Sequence, residues 1–181
     1  MKKYNIILAD PPWKYKVWKR EMKEKRTAIS HYDMMNFKDL KELKINKITK
    51  KDCALFLWVQ SPMILNGLEL IKSWGFNYKT IAFIWIKLNK KNKKPVTGMG
   101  HYTRTGAELC LLGIKGKLER QDKSVKQVLF NKLRGHSVKP IAVHKRIVKL
   151  FGDLPRIELF ARKKVKGWSA WGNEIESDIK L

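Results

Sequence analysis

Apolar residues along this chain fall into short runs divided by longer polar, lysine-rich stretches. The run Ile6-Ile7-Leu8-Ala9, inside 4–9, is too short for a helix and stops at two prolines, so it reads as a buried strand. Residues 54–59, 80–86, 108–114 and 156–161 read the same way, and 80–86 is rich in β-branched and aromatic residues. Helical spacing intervenes. Ser61 and Pro62 supply an N-cap and a first-turn proline, Ile64, Leu65, Leu68, Ile71 and Trp74 follow on one face, and Gly75 ends the helix. Ser137 and Pro140 open a second helix with Ile141, Val143, His144, Ile147, Val148 and Phe151, closed by Gly152. Asn36 caps a shorter one reaching Leu43. Residues 115–136 are polar and basic without clear periodicity. Strands alternating with helices predict an α/β three-layer fold, a largely parallel sheet flanked by helices. No repeat or composition break divides 1–181, so one domain is expected.

Charge changes the picture. Against 40 Lys and Arg stand 16 Asp and Glu, a net charge of +24. That predicts a polyanionic partner, most simply nucleic acid. AT-rich codon usage would inflate Lys, but it would also inflate Glu, Asn and Ile, so it does not explain the shortage of acids. Apolar residues make up 44%, enough for a core. Cys53 and Cys110 sit at or in apolar runs with no Cys-x-x-Cys partner, which suggests buried free thiols in a reducing cytoplasm. His31, His101, His136 and His144 lack metal-ligand spacing, so no metal is expected. No apolar run approaches the roughly 18 residues of a membrane helix, and Met1-Lys2-Lys3 with its short apolar stretch is no signal peptide.

The candidate chemistry begins at Asp10-Pro11-Pro12-Trp13, directly after the first strand. An acid there sits at a strand's C-terminal end, where open α/β sheets bind ligands. Two prolines donate no backbone hydrogen bond and have fixed φ, but their carbonyls can accept. The corner thus offers acceptors, one carboxylate and one aromatic face, a set suited to a planar amine donor such as adenine's amino group. Two basic stretches follow. One spans 14–35, with Lys14, Lys16, Lys19 and Arg20 interleaved with Tyr15, Trp18 and Tyr32. The other spans 87–107, from Lys87, Lys90, Lys91, Lys93 and Lys94 to His101, Tyr102 and Arg104. Loops this long in compact folds are usually functional or disordered. Gly98-x-Gly100 lacks a third glycine and is no dinucleotide fingerprint.

Six landmarks in order carry a resemblance across nearly the whole chain. They are Ile7-Leu8-Ala9-Asp10-Pro11-Pro12-Trp13, Leu55-Phe56-Leu57-Trp58-Val59, Gly100-His101-Tyr102-Thr103-Arg104 through Glu108-Leu109-Cys110-Leu111, Ser137-Val138-Lys139-Pro140, Ile157-Glu158-Leu159-Phe160-Ala161-Arg162 and Trp171-Gly172-Asn173-Glu174. Together they resemble the methyltransferase-like adenine-N6 methyltransferases. That family holds the catalytic subunit of the eukaryotic mRNA N6-adenosine writer and compact bacterial and phage relatives. The resemblance implies a Rossmann-like fold with a circularly permuted motif order, the catalytic motif preceding the main cofactor motif. It implies S-adenosylmethionine as methyl donor. Lys139 matches the lysine for the cofactor's carboxylate, Phe160 and Arg162 match residues beside its ribose and adenine, and Asn173 and Glu174 match the pair that holds ribose hydroxyls or the adenine edge. Asp10 also contributes to the cofactor site. Ala161 and Glu174 depart from the Gly and Gln of the best-known members.

On this reading Asp10 and the Pro11 carbonyl accept the two hydrogens of the adenine amine, Pro12 stiffens the corner, and Trp13 stacks on the base or walls the pocket. Lys14, His101, Tyr102 and Arg104 join Trp13 on the substrate side, and Tyr15 and Trp18 offer stacking faces. The target base must be flipped out or single-stranded. DNA is the favoured substrate by family analogy, with RNA the alternative. A non-catalytic nucleic-acid-binding subunit is the contrasting class, and either a homodimer or a heterodimer is compatible with the residues.

Overall fold

The apolar runs become strands of one seven-stranded sheet in a computed structural model that describes residues 2–13, 35–100, 102–132 and 138–181. The strands are β1 (Tyr4–Ala9), β2 (Thr49–Val59), β3 (Asn77–Leu88), β4 (Ala107–Lys115), β5 (Val128–Lys132), β6 (Arg156–Leu159) and β7 (Ser169–Trp171), in the order β5-β3-β4-β2-β1-β6-β7. Only β4 runs against its neighbours, so the largely parallel sheet and the Rossmann-like layering hold. Side chains alternate across the sheet. Ile7 and Ala9 of β1 pack toward Leu40, Leu70, Ile71 and Trp74, whereas Ile6 and Leu8 pack toward Val143, Ile147 and Phe151. Helices α1 (Phe37–Glu42) and α2 (Ile64–Ser73) thus cover one face and α3 (Ala142–Phe151) the other. Every residue of β1 except Asn5 is essentially inaccessible, and burying each large aliphatic side chain stabilises by roughly 1.5–3 kcal/mol.

Several boundaries differ from the sequence expectation. Strand β2 begins five residues early because Thr49 already pairs with Tyr4. Strand β5 lies inside the stretch without periodicity. At the sheet edge only Leu129 is buried while Val128 and Phe130 are exposed, which is too little alternation to read. Ser61 is not a helix cap. It starts a 3-10 turn, Ser61–Met63, in which Met63 donates to the Gln60 carbonyl, and α2 follows. Asn36 stands at the N-cap of α1 in extended backbone, but its side chain makes no capping bond. Helix α3 starts two residues after Pro140, whose carbonyl accepts from Val143 N–H, and Ser137 lies outside the described residues. Strand β6 stops at Leu159 because Phe160 takes a φ of 60°, a left-handed value that breaks a strand. Cys53 and Cys110 are buried free thiols.

Candidate active site

The shared direction of β1, β2, β3, β5, β6 and β7 brings their C-terminal ends to one edge, and β4 starts there. Asp10 leaves β1 at that edge, its N–H directed at the Leu159 carbonyl of neighbouring β6. Its side chain is one quarter exposed (25%). The proline corner is tied down from within. Trp13 N–H donates to the Pro11 carbonyl at 2.9 Å, and the Trp13 indole N–H donates to the Trp58 carbonyl at 2.9 Å. Two expectations change accordingly. Trp13 is 7% exposed and packed in the core beneath the corner, so it offers no open face for stacking. The Pro11 carbonyl already accepts one bond, which leaves it one further lone pair. Trp13 and Met35 form an isolated parallel bridge.

Asp10 is joined by a residue far away in the chain. Lys139 Nζ lies 2.8 and 2.7 Å from its two carboxylate oxygens and 3.1 Å from Oε2 of Glu108. The three N–H groups of the ammonium are thereby divided between two acids. Glu108 Oε1 is 2.5 Å from Lys87 Nζ, so cations and anions alternate along the cluster. Lys139 also lies over the Trp58 ring, 5.6 Å from its centroid. Burial pushes Asp10 above its ordinary pKa, with Lys139 opposing the rise and Glu108 adding to it. For Glu108 burial acts the same way, but the charges of Lys139 and Lys87 outweigh it and hold this acid low. Burial alone would lower Lys139, but Asp10 and Glu108 raise it, so it stays charged.

A second group of predicted residues stands on the adjacent strands. The left-handed turn at Phe160 swings Ala161 N–H onto the Trp171 carbonyl at 2.9 Å. The Phe160 and Trp171 rings meet edge to face at 5.3 Å, and Arg162 Nε pairs with Glu174 Oε1 at 2.9 Å. Gly172 presses against the Ala161 backbone, where a Cβ would collide with its carbonyl oxygen. Asn173 is exposed beside this corner. The donor set fits the implied cofactor. An ammonium–carboxylate head matches the acid and base of Asp10 and Lys139, and a ribose and adenine match the aromatic, amide and ionic groups one and two strands over.

The substrate side is partly described. Tyr102 is fully exposed (100%) and Arg104 is exposed, both in the excursion between β3 and β4. Bridges Leu88↔Pro95 and Gly98↔Thr105 shape that excursion. Lys14 and His101, like Tyr15, Trp18 and Tyr32, lie outside the described residues. Sequence reasoning grouped Lys87 with the phosphate-tracking cations of the basic stretch 87–107, whereas its ammonium is turned onto Glu108. It assigned no role to Glu108 or to the pair His144–Glu158, whose Nε2 and Oε2 are 2.7 Å apart. A signal for Glu108 was present, since it is the only acid in the apolar run of β4 in a chain short of acids.

A family model described as MT-A70 matches residues 4–174. The Type II methyltransferase M.MunI of a Mycoplasma species is 38% identical over 190 residues, covering 96% of this chain and 78% of that protein. The human N(6)-adenosine-methyltransferase catalytic subunit METTL3 is 28% identical over 178 residues, covering 96% of this chain and 28% of that protein. The zebrafish METTL3 subunit is 29% identical, with the same coverage of both chains. The chain therefore spans most of the bacterial relative and little more than a quarter of the eukaryotic ones.

Proposed function

The chain belongs to the MT-A70 family, and on that premise we propose that it transfers a methyl group from S-adenosylmethionine to the N6 amino group of adenine in DNA. The observation that carries the reading is the Asp10–Lys139 pair at the mouth of a rigid Pro-Pro corner. The adenine amine is a poor nucleophile because its lone pair is delocalised into the ring. Asp10 accepts one amine hydrogen, and the free lone pair of the Pro11 carbonyl accepts the other. Both acceptors are fixed before substrate arrives, so little reorganisation opposes the reaction. Holding both hydrogens favours a pyramidal nitrogen and localises its lone pair. Bound S-adenosylmethionine supplies an electrophilic methyl on a sulfonium centre.

Lys139 and Asp10 hold the charged amino-acid head of the cofactor, Phe160 and Trp171 flank its flat end, and Arg162, Asn173 and Glu174 meet its polar edges. The pair Arg162–Glu174 bears on the departure at 174. Its carboxylate is oriented by the guanidinium and accepts from hydroxyls, a role that needs no donor. Tyr102, Arg104 and the lysines of 90–94 contact nucleic acid, the lysines through phosphates and Tyr102 by stacking on an unpaired base. DNA is preferred to RNA because the bacterial relative, a Type II methyltransferase, is matched over most of its length.

The test is transfer of label from S-adenosylmethionine to single-stranded DNA, duplex DNA and RNA, with nucleoside analysis of the product. N6-methyldeoxyadenosine is expected from the wild type and not from Asp10→Ala. N6-methyladenosine formed only from RNA would move the substrate to RNA. Tight nucleic-acid binding with no transfer to any substrate would mark a non-catalytic subunit.

A further inference from the structure

We propose that Lys87 is a positioning residue for methyl transfer, fixing Lys139 on Asp10 through Glu108 from the root of the basic excursion between β3 and β4. The proposal rests on the methyltransferase reading of the Asp10 pocket. Lys87 is the penultimate residue of β3. Its N–H donates to the Gly106 carbonyl at 2.9 Å, and its own carbonyl accepts from Val96 N–H at 2.7 Å. Both limbs of the excursion are therefore fastened to the backbone of this one residue. The side chain points the other way in function. It crosses the Trp85 ring, 5.4 Å from the centroid, and reaches Glu108 Oε1 at 2.5 Å, while Glu108 Oε2 faces Lys139.

The alternation gives Lys87 a definite task. Two acids and two bases share a site where Glu108 and Lys139 are 14% and 13% exposed. With Lys87 in place, Glu108 divides its charge between two cations and leaves Lys139 free to bridge to Asp10. Without it, Glu108 has Lys139 as its one facing cation and draws the ammonium from Asp10. Facing Asp10 are Lys139 before α3, Glu108 and the Cys110 thiol on β4 and Glu158 on β6, and facing Glu108 are Lys139 and Lys87 on β3. Exposed Lys90, Lys91, Lys93 and Lys94 on the same excursion face no carboxylate of the cluster. Lys87 thus ties the segment that meets the polyanion to the groups that hold cofactor and amine.

The experiment compares wild type, Lys87→Met, Lys87→Arg and Lys90→Met in steady-state methyl transfer across pH. Lys87→Met is expected to lower kcat about tenfold, raise KM for S-adenosylmethionine and move the acid limb of kcat/KM upward by roughly one pH unit. Lys87→Arg restores the wild-type profile, and Lys90→Met changes only KM for DNA. Lys87→Gln keeps a donor toward Glu108 while removing the charge, and gives the same shift should the Met variant fold poorly. An unchanged pH profile with only KM for DNA raised would overturn the proposal and make Lys87 a phosphate contact. A carboxyl-carbon NMR titration separates the two readings. If the wild type transfers no methyl group, the methyltransferase reading fails, whereas an upward shift of the Glu108 titration in Lys87→Gln still supports the network. No shift of that titration refutes it.

Discussion

Lys139 Nζ meets both carboxylate oxygens of Asp10, at 2.8 and 2.7 Å, across 129 positions of sequence. An ammonium seated on both oxygens holds the carboxylate at the mouth of the corner and leaves each oxygen a further lone pair. The proposed mechanism uses one of these to accept one hydrogen of the amine while the Pro11 carbonyl takes the other. Two long-range alignments meet here. Parallel pairing of β1 with β6 sets Asp10 at the edge, and the turn into α3 delivers Lys139 over the Trp58 ring.

Asp10→Asn tests the carboxylate without changing its shape. The amide keeps one acceptor oxygen but loses the charge that balances Lys139. Methyl transfer is expected to fall at least roughly a hundredfold with the circular-dichroism spectrum unchanged. A variant retaining more than a tenth of wild-type kcat would show that charge at this position is dispensable.

The two acids of the cluster respond to pH in opposite senses. Glu108 is held below its ordinary value of 4.5, so its contribution to stability is present above that pH and is lost as pH falls through its folded value. Asp10 is raised above 3.8, so its contribution is present below that pH and is lost as pH rises through its folded value. Urea unfolding of wild type, Glu108→Gln and Asp10→Asn on descending pH reads both signs. The advantage of wild type over Glu108→Gln should shrink toward acid, while its stability relative to Asp10→Asn should improve. Parallel slopes for the two comparisons would contradict this assignment.

Gly172→Ala tests the crossing of the β6 and β7 ends. The added Cβ collides with the Ala161 backbone, which cannot yield as a flexible side chain would. The strands must part, separating Phe160 and Arg162 from Asn173 and Glu174. A cost of about 1–3 kcal/mol in unfolding free energy is expected, together with weaker binding of S-adenosylmethionine by calorimetry. Wild-type affinity in this variant would exclude the corner from the cofactor site.

Replacing Lys90, Lys91, Lys93 and Lys94 together by Gln should weaken binding equally for all DNA sequences. If each lysine meets a phosphate, the slope of log affinity against log salt falls by roughly 0.9 per lost contact on duplex DNA. Anisotropy titrations at several salt concentrations measure it. Tyr102→Ala, at a fully exposed position, should leave stability unchanged and weaken single-strand binding by about 1–3 kcal/mol. A sequence-selective loss in the lysine variant would mean that these side chains read bases.

The residues alone determined the layered α/β plan, the strand Tyr4–Ala9 and the helices ended by Gly75 and Gly152, because apolar periodicity and glycine turns are local properties. They also identified the motif string, and with it the family and the acid at its centre. Strands β5 and β7 escaped because a five-residue edge strand and a three-residue strand carry too few alternations to stand out. Tertiary structure decided three further things: the sheet order, the burial of Trp13, and the alternation of Lys87, Glu108, Lys139 and Asp10. No spacing encodes a contact across 129 positions. It arises when buried faces and parallel crossovers set which strand ends converge, and burial then requires each charge gathered there to find its opposite.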